Sequence, residues 1–201
     1  MELRTGPVKA SGAKRRWWLG GLLLAVAGAA SAGLASQNAR AERPSRDEVE
    51  AAYLYNFGKF VRWPAASAPG PLVICVVAQD SLTQVLESLV GGEQSDRRQL
   101  AVKGGNEPGA VAGCSILFMG ATEAKRADTF LAAAAGRPIL TVSDAPEFLA
   151  RGGTIQFVQV EDHVRFSVNL NAANRCGLSL SSELLKVAVS VTGKPGTGGA
   201  R

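Results

Sequence analysis

One histidine, His163, stands in a chain of 201 residues. Metal centres built on imidazole and thiolate need several ligands at set spacing, and no second His or Cys flanks His163. The nucleophile inventory is as thin. No G-x-S-x-G turn occurs, and the S-x-x-K match, Ser11 to Lys14, lies in an N-terminal segment expected to be removed. No phosphate-binding loop of the G-x-x-x-x-G-K-[ST] or strand-following G-x-G-x-x-G type is present. Paired acids, bases and nucleophiles are therefore missing, and neither an enzyme nor a bound cofactor is expected. Hydrophobic runs of spanning length are missing too. Residues 17–30 form a 14-residue apolar stretch, short of the roughly 20 that a membrane helix requires.

That stretch has another reading. Lys14, Arg15 and Arg16 precede it, and Ala30-Ser31-Ala32 follows. A basic start, an apolar middle and an A-x-A end make a secretory signal peptide over 1–32, with an uncleaved N-terminal anchor as the alternative. Residues 33–45 read as a linker, 46–191 as one domain and 192–201 as a disordered tail. Removing the leader changes the charge. The chain has 22 basic and 17 acidic residues; 1–32 hold five and one, which leaves 17 against 16. A net +1 with no basic patch gives no support for nucleic-acid binding.

Strand and helix signals alternate through the first half. An apolar run at 72–78, and others at 99–103, 115–119 and 139–142, read as strands; helices fall at 45–63, between a cap at Asp80 and a stop at Gly91-Gly92, and at 122–135. A short helix is expected to start at Asp144, where Pro146 suits a first turn. A hairpin follows at 154–159 and 164–169, then helices at 170–176 and 182–191. The fold class is α/β, with a single mixed, mostly parallel sheet flanked by helices and a C-terminal antiparallel hairpin. Cys75 and Cys114 both lie in strand-like runs. For an exported chain the expected disulfide joins them and leaves Cys176 as a thiol, three reduced cysteines being the alternative.

Few polar residues stand out. Asp80 and Asp144 each follow a predicted strand, where open α/β sheets bind ligands, although helix capping also explains both. Arg165 and Asn169 share one face of a strand, and Asn169 is placed to cap the next helix. The segment "AAYLYNFGKFVRWP" at 51–64 is the most apolar part of the predicted domain's first helix. Val49, Tyr53, Asn56 and Phe60 mark one stripe; Leu54, Phe57 and Val61 mark a second. Burying both stripes needs a deep position or a second protein surface. Tyr55, Lys59 and Trp63 are the candidate partner edge, and Asn56 is expected to be buried and hydrogen-bonded.

Five segments in order, "EVEAAYLYNFGKFVRWP", "LVICVVAQD", "CSILFMG", "ILTVSD" and "FLARGGTIQFVQVEDHVRFSVNLNAANRCGLSLSSELLKVA", resemble the YfiR family of periplasmic regulators. The resemblance implies a mixed α/β domain in the periplasm. It implies repression of an inner-membrane diguanylate cyclase through that enzyme's periplasmic domain, lowering cyclic di-GMP and biofilm formation. It also implies homodimerisation and sequestration by an outer-membrane lipoprotein. Cys75 and Cys114 match the family's inter-strand disulfide; the second disulfide of some members has no counterpart here. A periplasmic small-molecule sensor, with a pocket near Asp80 and Asp144, is the alternative function.

Overall fold

Six consecutive apolar residues, Leu72–Val77, are all buried. A strand buried on both faces needs a cover on each, and that requirement organises the molecule. The computed structural model describes residues 43–65, 70–92, 99–105 and 107–194; the expected signal peptide, most of the expected linker and the last seven residues lie outside them. In chain order the elements are α1 (Arg46–Phe60), β1 (Val61–Arg62), β2 (Leu72–Val77), α2 (Asp80–Gly92), β3 (Leu100–Gly104), β4 (Ile116–Met119), α3 (Ala127–Ala134), β5 (Leu140–Ser143), β6 (Ile155–Val160), β7 (His163–Asn169), α4 (Leu170–Arg175), β8 (Ser179–Leu180), α5 (Ser182–Lys186) and β9 (Ser190–Thr192).

Seven strands make one sheet in the order β3-β2-β4-β5-β6-β7-β9. Pairing is parallel from β3 through to β6, antiparallel between β6 and β7, and parallel again between β7 and β9. β1 and β8 form a separate antiparallel pair. The mixed, mostly parallel sheet and its hairpin are as the sequence pattern predicts.

The pleat sends alternate side chains to opposite layers. Leu72, Ile74 and Val76 join a core with Leu54 and Phe57 of α1 and Leu82 and Leu86 of α2. Val73, Cys75 and Val77 join a second core with Ala127, Phe130 and Ala134 of α3. The first core is the aromatic one. Phe57 and Tyr53 meet Phe157 and Phe166 at ring centroid distances between 5.2 and 6.1 Å. Edge-to-face and offset ring pairs add to plain burial, by about 0.5–1.5 kcal/mol each.

Cys75 and Cys114 are disulfide-bonded, with Cα atoms 5.8 Å apart at a sequence separation of 39. The bond is not strand to strand. Cys114 ends a 3₁₀ turn, Pro108–Gly113, two residues before β4. It therefore braces the turn against the middle of β2.

Four local expectations need correction. α1 ends at Phe60, not Trp63, because Val61 and Arg62 turn extended to pair with Leu180 and Ser179. Residues 122–126 belong to a 3₁₀ helix, Ala121–Arg126, and the α-helix starts only at Ala127. No helix starts at Asp144; Glu147 has φ +60°, and a chain of turns runs on to Gly152. The last helix stops at Lys186, and Ser190–Thr192 form an edge strand where a helix end and the start of a tail were expected.

Candidate functional site

α1 begins with a capping box. The Ser45 hydroxyl accepts from the Glu48 amide at 3.2 Å, and the Glu48 carboxylate accepts from the Ser45 amide at 2.6 Å. Those hydrogen bonds from Ser45 hold the Glu48 carboxyl below the usual range. Beyond the cap, the inward stripe is Glu50, Leu54, Phe57 and Val61, spaced four, three and four. Val49, Tyr53, Asn56 and Phe60 are not a second buried stripe. They run along the boundary from half-buried to exposed.

Glu50 is thus a carboxyl in a leucine position, with no exposed surface. The Arg46 Nε donates to its Oε1 at 2.7 Å, while Arg46 Nη2 donates to Asp144 Oδ2 at 3.0 Å. Burial pushes the Glu50 pKa up to about 7. The Arg46 hydrogen bond works against that rise, and the nearby Asp144 and Asp47 charges add to it. Asp144 is itself held in place by Ser143, whose hydroxyl donates to the Met119 carbonyl at 2.6 Å and accepts from the Ala145 amide at 3.0 Å. Next to it, Gln79 Nε2 donates to Asp47 Oδ1 at 3.0 Å. The first turn of α1 is therefore tied to the carboxyl ends of β2 and β5.

Parallel sheets usually bind ligands at those strand ends. Here that crevice holds the first turn of α1. Asp144 points at Arg46, and Asp80 is exposed in the first turn of α2. Neither Asp80 nor Asp144 lines any of the three cavities seen among the described residues. A groove of about 490 Å³ lies instead between the start of α1 and the β6–β7 hairpin. Arg43, Arg46, His163 and Arg165 line it with Val49 and Tyr53, and Asp162 is its single acidic residue. The Tyr53 hydroxyl donates to the Val164 carbonyl at 3.4 Å across the groove floor.

The other end of α1 differs from the expected partner edge. Tyr55 is 8% exposed and belongs to the core, with the Lys59 ammonium 4.2 Å from its ring centroid. Trp63 is half-buried against the aromatic core, and its indole N–H is buried without an acceptor among the described residues. The exposed residues there are Lys59, Phe60 and Arg62, and Phe60 is 39% exposed. Asn56 is half-buried, not buried; its amide donates to the Ala52 carbonyl of the same helix at 2.8 Å. Asn169 caps α4 by accepting from the Ala172 amide at 3.1 Å, and its amide donates to the Leu149 carbonyl. Arg165 is exposed at the groove. Cys176 is a half-buried thiol, pushed up in pKa by burial, and lines a cavity of about 260 Å³.

Sequence reasoning missed Glu50. Its signal was present: an acid four residues before Leu54 and seven before Phe57, on the apolar period, with Arg46 one turn earlier. It also missed the exposed Phe60, since periodicity cannot show where a helix runs past its cover.

These features define an α/β domain whose sheet is covered on both faces, with the first turn of α1 tied to the strand ends and Phe60 exposed at the helix's other end. Among the described residues no group of three or more His, Cys, Asp or Glu could hold a metal, and no helix is long and apolar enough to cross a membrane. The chain belongs to the YfiR/HmsC-like family, DUF4154, whose profile matches residues 47–189. The fold resembles a solved conserved domain protein from Vibrio cholerae O1 biovar El Tor str. N16961, at 14% identity and a TM-score of 0.50. The match covers 74% of this chain and 60% of that one. No curated protein matches the sequence.

Proposed function

We propose that the protein is an exported, non-enzymatic regulator that binds the periplasmic domain of an inner-membrane diguanylate cyclase and represses it. Cyclic di-GMP and biofilm formation fall as a result. Membership of the YfiR/HmsC-like family over 47–189 carries this reading. The Cys75–Cys114 disulfide supports it, because such bonds persist in oxidising compartments. The proposed contact surface is the outer end of α1: Lys59, Phe60 and Arg62, with Trp63 behind them. An aromatic beside two cations suits an apolar partner patch rimmed by acids. A second copy of the chain and an outer-membrane lipoprotein are further partners in the same reading.

Co-purification with the cyclase's periplasmic domain tests the proposal. The wild type is retained, and Phe60→Glu is lost at unchanged thermal stability. Failure of the wild type to bind contradicts it. The groove lined by Arg43, Arg46, His163 and Arg165 favours a second reading, a sensor for a small anionic ligand that tunes the interaction. A thermal-shift screen with organic anions checks that reading: no shift with any of them removes it.

A further inference from the structure

Glu50 Oε2 and Asp144 Oδ1 are both buried, and neither has a hydrogen-bond partner among the described residues. Their sister oxygens share one donor group, the Arg46 guanidinium. Two carboxylates on one guanidinium carry a net −1, and the Glu50 side chain is fully buried while that of Asp144 is 11% exposed. Orphaned buried acceptors are costly, whereas a carboxylic acid proton converts one of them into a donor. The cluster is short of one proton's worth of charge and one donor.

We propose that Arg46, Glu50 and Asp144 form a proton-operated clasp. With Glu50 protonated, the first turn of α1 is fastened to the end of β5. Loss of that proton leaves two anions on one guanidinium and loosens the turn. The charged groups acting on Glu50 are Arg46 and Asp47 of α1 and Asp144 beyond β5. Asp162, His163 and Arg165 of the hairpin share only the outer groove that Arg46 lines. Asp47 is itself hydrogen-bonded to neutral Gln79 at the entry to α2. Burial pushes the Glu50 carboxyl to about 7, which sets the clasp to work near neutral pH. Arg46 is 53% exposed and borders the groove, so the clasp also governs how firmly that guanidinium is held back from a groove ligand.

The inference stands apart from the identity of any partner. Its test is the carboxyl titration of Glu50 in the purified protein, followed by ¹³C NMR, with amide exchange of residues 46–54 measured from pH 5.5 to 8.5. The expected result is a Glu50 midpoint near 7, with amide exchange in the first turn rising, after correction for intrinsic base catalysis, through the same midpoint. Glu50→Gln, isosteric and neutral, should abolish that pH-dependent loosening, and Asp144→Asn should lower the midpoint by removing a neighbouring negative charge. A Glu50 midpoint in the ordinary carboxylate range overturns the proposal. So does a corrected exchange profile that is the same for the wild type and Glu50→Gln.

Discussion

The two ends of α1 are held by different chemistry. The first turn is fastened by charge: a capping box, Arg46 on Glu50 and Asp144, and Asp47 on Gln79. The last turn is fastened by packing and by backbone. Phe57 and Tyr55 are buried, and Val61 and Arg62 pass directly into a strand pair with β8. Packing does not respond to pH; a buried carboxyl does. One helix therefore carries a titratable end at the strand-end crevice and a rigid end that presents Phe60.

Removing the packed anchor has the largest expected effect. Phe57→Ala should cost about 3–5 kcal/mol, because a fully buried phenylalanine leaves a cavity among Phe157, Phe166 and Tyr53. Urea unfolding should show that loss equally at pH 5.5 and pH 8. Opening the disulfide acts on the other layer. Replacing both Cys75 and Cys114 by Ala should cost about 4 kcal/mol on the chain-entropy account for a 39-residue separation, again with no pH dependence over that range.

The charged end should behave otherwise. Glu50 has its pKa raised from 4.5 to about 7 in the folded protein. The folded state then binds more protons than the unfolded state between those values, so stability falls as pH rises. The contribution is fully present below about pH 4.5 and lost above about pH 7, in total about 3 kcal/mol at about 1.4 kcal/mol per unit. Glu50→Gln should flatten that part of the curve, and urea denaturation at successive pH values checks it. Arg46→Ala should destabilise by about 2 kcal/mol at pH 8, where both carboxylates lose their cation, and by less at pH 5.5.

The smallest effect on stability is expected at the outer end. Lys59→Glu and Phe60→Glu should each change unfolding free energy by no more than about 0.5 kcal/mol, since both side chains are exposed. Their effect belongs to partner binding. Loss of fold in either variant would place that end in the core after all.

Much of this architecture was legible as pattern. The run at 72–77 is apolar at every position and became a strand covered on both faces. The alternation around Phe157 and Phe166 became the hairpin, and the two cysteines paired. Other parts were hidden for physical reasons. Val61 and Arg62 continue a helical period, yet their hydrogen bonds go to Leu180 and Ser179, over a hundred residues away, which no local signal encodes. β9 has three exposed residues, and its pairing in the sheet is with β7. Sequence pattern alone puts Tyr55 on the outer edge, because a helical wheel shows directions, not neighbours; in the fold that side chain is buried. The candidate site divides the same way. Helix α1 was identifiable from its aromatic content, whereas the Glu50 clasp depends on Asp144, brought to Arg46 across 98 residues of chain.

The central claim is repression of a membrane diguanylate cyclase by direct binding. It is tested by the cyclic di-GMP content of cells expressing a membrane diguanylate cyclase of the same organism with and without this protein. The account predicts that the wild type lowers cyclic di-GMP, and that Phe60→Glu, exported and folded, fails to do so. An unchanged cyclic di-GMP level when the folded wild type is present in the periplasm would contradict it.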